Sequence, residues 1–178
     1  IKLSVLEISS YDAIKRLNDG SIDIVLTPLD IKERFNTMES INIYPTANIF
    51  CTSLNDPLAQ QDSVTFLDIR QRPIAVLNSK LPVDWPLQIR LCTNTSSLIR
   101  EAVSKGILCA LLPQDFVRDW DDVAVLPFNP PQNCAVKAVW NKNLPHPSAL
   151  QEFVDFLLEY FAAQGIVLPE EKIEDDEI

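Results

Sequence analysis

The chain has 178 residues, 47% hydrophobic and 22% charged, enough for one ordinary globular domain or two small lobes with a real core. Its net charge of -10 repels phosphate and argues against direct binding of nucleic acid, and no apolar run reaches the roughly 18 residues of a membrane span. With 3 glycines, 1 histidine and 4 cysteines lacking C-x-x-C spacing, no phosphate-cradling loop, His-based triad or zinc site stands out.

The first residues, "IKLSVLEI" at 1–8, read as a strand, since Ile1, Leu3 and Val5 alternate with other residues. Ser10 is placed to cap a helix over 11–19 with Ala13, Ile14 and Leu17 on one face, and Gly20 suits the left-handed position that ends it. A strand is expected over 22–26. Asp23 near its start is expected to be solvated at the sheet rim or bonded to nearby amides. Thr27 and Pro28 stand at the carboxyl end, where open α/β sheets bind ligands. A short polar helix is expected over 31–35. Residues 41–51, "INIYPTANIFC", form a long extended segment broken by Pro45, which fits an edge strand or a crossing connection.

Thr65 and Asp68 have capping-box spacing over one short turn. "PIAVL" 73–77 and "IRLCT" 89–93 read as buried strands. Thr95 or Ser96 then caps a helix to Lys105, Gly106 ends it, and "ILCALLP" 107–113 is a strand apolar on both faces. Further strands are expected at 123–128 and 135–140, and the Pro-rich "LPFNPPQN" 126–133 is expected, like the Pro45 region, as a connection between lobes. A last helix starts near Ser148, with Ser148 and Gln151 as its capping box, and Gly165 stops it. Residues 169–178 carry six acids and one lysine and are expected to be a solvated, frayed end. Cys51, Cys92 and Cys109 lie in apolar runs and are expected to be reduced, packed thiols; Cys134 is the fourth. Trp85, Trp120 and Trp140 are expected in the core or on a lobe surface.

Helix–Gly–strand occurs twice, at 10–26 and 95–112, and strands apolar on both faces are typical of parallel sheets covered by helices. The expected fold is therefore α/β in two lobes. Residues 1–50 and 133–168 would form a discontinuous lobe I, 51–132 lobe II, and 169–178 the acidic tail.

Several stretches, in order, resemble LysR-type transcriptional regulators: "LEISSYDAIKRLNDGSIDIVL", "LNDPLA" at 54–59 with Asp56 where the family usually has His, "VTFLDI", "NTSSLIREAVSKGILCALLP", and "FVRDWDDVAVLPF" with the final helix. The resemblance implies the effector-binding domain of such a regulator, with a type 2 periplasmic-binding-protein fold: two α/β lobes and a central cleft. It also implies a homodimer through this domain, a tetramer at full length, and DNA contact only through a winged helix-turn-helix further upstream. The family's domain usually opens with one more strand and helix than this chain shows. Together with the absence of an initiating Met, that points to a piece of a longer protein, and the unpatterned cysteines point to a cytoplasm.

The effector-contacting candidates are Ser9 and Ser10 at the first strand-to-helix junction, Thr27, Asn78 and Ser79 after the 73–77 strand, and Thr93, Asn94 and Thr95 before the second helix. Hydroxyls at a helix start serve either as caps or as a ligand shell, because free amides and a partial positive charge there suit an anion. Pro28 stands where some relatives place an Arg that pairs with an acid, so a smaller or more neutral ligand is expected rather than a tightly held dicarboxylate. A solute-binding protein of a transporter shares the fold and is the alternative. No catalytic residue, metal or cofactor is expected.

Overall fold

The computed structural model describes residues 3–8, 10–28, 36–77 and 86–166, with backbone alone at Ser10 and Tyr11. In chain order they form helix α1 (Ser10–Asp19), strands β1 (Val25–Thr27) and β2 (Met38–Ser53), a 3-10 turn (Pro57–Gln60), helix α2 (Phe66–Ile69), strands β3 (Pro73–Val76) and β4 (Gln88–Cys92), helix α3 (Ser96–Ser104), strand β5 (Cys109–Pro113), a second 3-10 turn (Gln114–Phe116), strand β6 (Val123–Asn141) and helix α4 (Ser148–Ala163). One mixed six-stranded sheet has the order β1-β6-β2-β5-β3-β4.

The strands β2 and β6 run the length of this sheet as an antiparallel pair, from Met38 opposite Asn141 to Ser53 opposite Val123. The expected strands at 123–128 and 135–140 are therefore one strand, and the proline run lies inside it. Asn48 pairs with Gln132 but Ile49 pairs with Pro127, so residues 128–131 step out of the ladder. The Val64 amide donates to the Pro127 carbonyl over 3.0 Å, and the Asn129 amide donates to the Val64 carbonyl over 2.8 Å, tying down the detour. Pro45 likewise sits in the sheet interior opposite Ala135. Segment 41–51 is thus a crossing strand and not an edge.

Four apolar clusters cover two faces at two ends. At the far end, β5 alternates cleanly: Cys109 and Leu111 join Phe50, Ile74, Val76, Leu126 and Ile69 on one face. Ala110 and Leu112 join Ile49, Cys51, Ala75, Ile99 and Val103 under α3 on the other. A strand buried on both faces has to be apolar throughout, which explains "CALLP"; β3 lies parallel to both β4 and β5, as such runs imply. At the near end, α1 lays Leu17 on Met38 and Val139. The helix α4 lays Leu150 and Val154 on Ile43 and Ala138 on the opposite face. Trp120 and Trp140 pack at the margins of these clusters, as expected of them; Trp85 lies outside the described residues.

Several expectations are corrected. Residues 3–8 form no strand, and Leu3, Val5 and Leu6 are exposed, because no neighbouring described strand pairs with them. The first β-strand is Val25–Thr27 rather than 22–26; Ile22 and Ile24 reach the core without joining the ladder. Asp23 precedes the strand and is exposed, in keeping with a solvated rim position. The capping box at Ser148 does not form: Pro147 takes the cap position, and the Gln151 side chain bonds Asp155 over 2.8 Å instead. Cys92 is exposed on the edge strand, whereas Cys51 and Cys109 are buried. The helix expected at 31–35 and the tail 169–178 lie outside the described residues.

The acid of Asp68 accepts from the Thr65 hydroxyl over 2.6 Å and the Thr65 amide over 2.7 Å, which holds its carboxyl below the usual range. Gly20, with φ of 72°, makes the left-handed exit from α1 that an L side chain rarely adopts.

Candidate functional site

Two helices start over one face of the crossing strands. The ladder sets this face: Val139, Lys137, Ala135 and Asn133 of β6 lie opposite Ser40, Asn42, Pro45 and Ala47 of β2. Directly opposed residues in an antiparallel pair share a face. Val139 packs against α1 at the near end, and Ile49, two residues beyond Ala47 on β2, packs against α3 at the far end. The side chain of Ile43 is the extra residue where the register shifts between Asn42 and Tyr44, so the alternation stays in step on both sides of it.

The direction of each helix follows from its neighbours. The end of α1 at Leu17 lies beside Asn141, whose side-chain amide donates to the Leu17 carbonyl over 3.4 Å, so its start at Ser10 points toward the crossing. The end of α3 is anchored at the far end of β2 by a 3.5 Å bond from the Ser53 hydroxyl to the Ser104 carbonyl, so its start at Ser96 also points toward the crossing. Each start presents unpaired backbone amides and the positive end of the helix dipole.

On the α1 side, three adjacent strands contribute one polar row: Thr27 of β1 opposes Lys137 of β6, which opposes Asn42 of β2. Thr27 is only 5% exposed. The Asn42 side-chain oxygen is shut off from solvent and has no hydrogen-bond partner among the described residues. Lys137 sits in an otherwise apolar stretch, "CAVKAVW", on an interior strand where a charged side chain is disfavoured. Neither Lys137 nor Asn42 stands out in the sequence as a strand end or a helix start. The signal for the first was a lone cation among apolar residues; the second carried none.

On the α3 side, the Thr93 amide donates to the Val76 carbonyl over 3.2 Å, extending the β3–β4 pairing past Cys92. The Thr93 hydroxyl accepts from the Thr95 amide over 3.1 Å. Thr95 takes the N-cap position of α3, yet its hydroxyl makes no capping bond, and Asn94 and Thr95 are exposed. Thr93 stands at the level of Ile49 but three strands from β2, and Thr27 at the level of Asn42 but two strands from it on the other side. Pro45, Ala47, Ala135 and Asn133 pave the floor between them. Ser10 begins α1 as its first helical residue; Ser9, Asn78 and Ser79 lie outside the described residues.

The opposite face of the crossing is closed by packing. Tyr44 stacks on Phe161 of α4 with ring centroids 4.6 Å apart. Burial, followed by the nearby Asp115 carboxylate, pushes the Tyr44 hydroxyl and the Cys134 thiol above their usual values. A separate hollow of about 240 Å³ lies at the C-terminal end of α1, away from the crossing, lined by Leu17, Asp23, Asn141, Leu144 and His146 among others. No group of three metal-ligating side chains occurs among the described residues. No helix among them is long and apolar enough to cross a membrane.

Each helix start, with the hydroxyl-bearing threonines near it, is suited to meeting a polar group of a ligand. Comparison with solved structures finds the same fold in, among others, OxyR, an effector-binding domain and a regulatory domain. The oxidised form of OxyR aligns with a TM-score of 0.74 at 14% identity, over 92% of this chain and 84% of that one. The effector-binding domain of QuiR in complex with shikimate has a TM-score of 0.74 at 18% identity, over 89% and 80%. The regulatory domain of CcmR from Synechocystis PCC6803, in complex with 2-PG, has a TM-score of 0.73 at 11% identity, over 85% and 79%. No curated protein matches. The LysR substrate binding domain model matches residues 1–162, which sets aside the alternative of a transporter's solute-binding protein. The mixed α/β fold is thus of the periplasmic-binding-protein type, and the chain belongs to the LysR substrate-binding domain family.

Proposed function

We propose that the chain senses a small metabolite on the face where α1 and α3 begin. Residues 1–50 with 133–168 act as one lobe and 51–132 as the other. The contacts come from Thr27 and from Thr93, Asn94 and Thr95, with Ser9, Ser10, Asn78 and Ser79 completing the shell. The convergence of two helix starts on one paved stretch of the crossing strands carries this reading. That the domains of QuiR and CcmR are seen with shikimate and 2-PG supports it.

A bound molecule biases the angle between the lobes, and through it the packing of a homodimer or of a full-length tetramer. The signal passes to a winged helix-turn-helix upstream, in the cytoplasm, with no catalysis by this chain. Regulation is limited by the ligand's differential affinity for the two states, typically about 1–3 kcal/mol of coupling.

The test is a thermal-shift screen of amino acids, organic acids and aromatic acids against the chain and against Thr27→Val and Thr95→Ala. A ligand at 100 times its dissociation constant should stabilise by about 2.7 kcal/mol, and both substitutions should weaken that shift. A ligand whose shift ignores both substitutions binds elsewhere and refutes the site.

A further inference from the structure

A side-chain tie spans the crossing on the face opposite to the helix starts. Pro45 and Ala47 stand on the face of α1 and α3, so Thr46 between them points to the other side. There its hydroxyl, buried, donates to the Asp115 carboxylate over 2.6 Å, and Arg118 approaches the second oxygen of that acid at 3.4 Å. Asp115 is fixed to the far end, because Leu112 before it and Val117 after it pack into the cluster under α3. Thr46 stands midway along β2 between Ile43, packed on α4 at the near end, and Ile49, packed under α3 at the far end. Tyr44 and Cys134, the ladder partner of Thr46, share its face; after burial, the Asp115 carboxylate is the next cause that pushes their hydroxyl and thiol up. One acid carried by the far end thus reaches over the crossing strands, on the side away from the proposed ligand.

Both β2 and β6 run from one end of the sheet to the other, so the ends move against each other only by flexing this stretch. When a sheet flexes toward one face, groups standing on that face converge and groups on the other face spread. Closing toward the helix starts therefore draws Asp115 away from Thr46, and a hydrogen bond weakens steeply once it leaves its normal geometry. We propose that the Thr46–Asp115 bond is a latch that holds the two lobes apart, made in the open domain and broken when the lobes close on a ligand. The proposal rests on the sensing role and the lobes proposed above, and adds the contact that a ligand works against. With the latch broken, Asp115 keeps Arg118 and water, but the buried Thr46 hydroxyl loses its acceptor, so the cost falls on the closed form. Apparent affinity is lowered by the small share of the domain that is closed before binding.

The experiment measures the separation of α1 and α3 in the ligand-free 178-residue chain by double electron–electron resonance. Spin labels sit on a non-canonical amino acid at the exposed positions Lys15 of α1 and Ser97 of α3, which leaves the four cysteines untouched. Thr46→Val and Asp115→Ala should each move the distances a few ångströms shorter or add a shorter population. Asp115→Asn keeps an acceptor oxygen for the Thr46 hydroxyl and should keep the parent distribution. Lost stability alone leaves the folded distance in place, so a merely structural bond does not produce the shortening. Asp115 lies in a turn outside the sheet, so its variants carry the comparison if Thr46→Val fails to fold. Unchanged or longer distances in the variants without the bond overturn the latch. A ligand found in the thermal-shift screen should bind Thr46→Val and Asp115→Ala at least about fivefold more tightly than the parent chain, and equal or weaker binding overturns the latch as well. A screen without any ligand removes the sensing role, and the distances alone then decide whether the bond holds the two ends apart.

Discussion

The Thr46 hydroxyl donates to the Asp115 carboxylate over 2.6 Å, joining β2 at the crossing to the turn that follows β5. Thr46 is buried, and Arg118 approaches the other oxygen of the same acid at 3.4 Å. The bond thus ties the middle of a shared strand to the far end of the sheet.

Replacing Thr46 with valine keeps the side-chain shape and deletes the donor. A hydrogen bond to a charged group contributes about 1.5–3 kcal/mol, and partial exposure of Asp115 places the loss in the lower part of that range. Urea unfolding of Thr46→Val should show a lower midpoint with an unchanged slope. An unmoved midpoint means that the bond contributes nothing.

Asp56 makes stability depend on acidity. Burial pushes its carboxyl up, but the Leu58 amide, the Arg72 guanidinium and the Thr52 hydroxyl together outweigh burial and hold it below the usual carboxylate range. A depressed value in the folded state adds stability at neutral pH that is lost as pH falls through that value. Asp56→Asn keeps the shape and one acceptor but loses the charge that Arg72 meets. At pH 7 it should cost roughly 1–3 kcal/mol, and the gap to the parent chain should close below about pH 4. Equal gaps at pH 7 and pH 3 would falsify the account.

The four thiols should separate by reactivity. Cys92 is exposed, Cys134 is half-buried with its thiol pushed up by burial and then by Asp115, and Cys51 is buried and pushed up to about 12. Cys51 and Cys109 lie on adjacent strands but pack on opposite faces of the sheet, so they are not placed to form a disulfide. Under native conditions iodoacetamide should modify Cys92 first and Cys134 more slowly, with Cys51 and Cys109 labelled only in denaturant. Peptide mass spectrometry reads the order directly, and early labelling of Cys51 would contradict it.

Much of the fold was legible from local chemistry. Gly20, Gly106 and Gly165 all adopt positive φ where helices were expected to stop, because only glycine enters that region freely. The apolar runs at 73–77 and 107–113 disclosed a sheet covered on both sides. The continuity of β6 was not legible, since prolines at 127, 130 and 131 read as a break, and only the pairing with β2 shows the strand resuming beyond a detour. Alternation at 1–8 suggested a strand, but alternation says nothing about a partner, and residues 3–8 have none among the described strands. The site followed the same rule. Thr27 and Thr93–Thr95 were visible as strand ends, whereas the row Thr27–Lys137–Asn42 exists only through register across three strands.

The detour at 128–131 apart, both ends of the sheet are strung on the same two ribbons, β2 and β6. Side by side, such ribbons act like a pair of leaf springs, stiff against sliding or twisting and soft only to flexing across their flat surface. Any rocking of one end against the other has to flex these ribbons between the two sets of clusters, where Pro45 faces Ala135 and Ala47 faces Asn133.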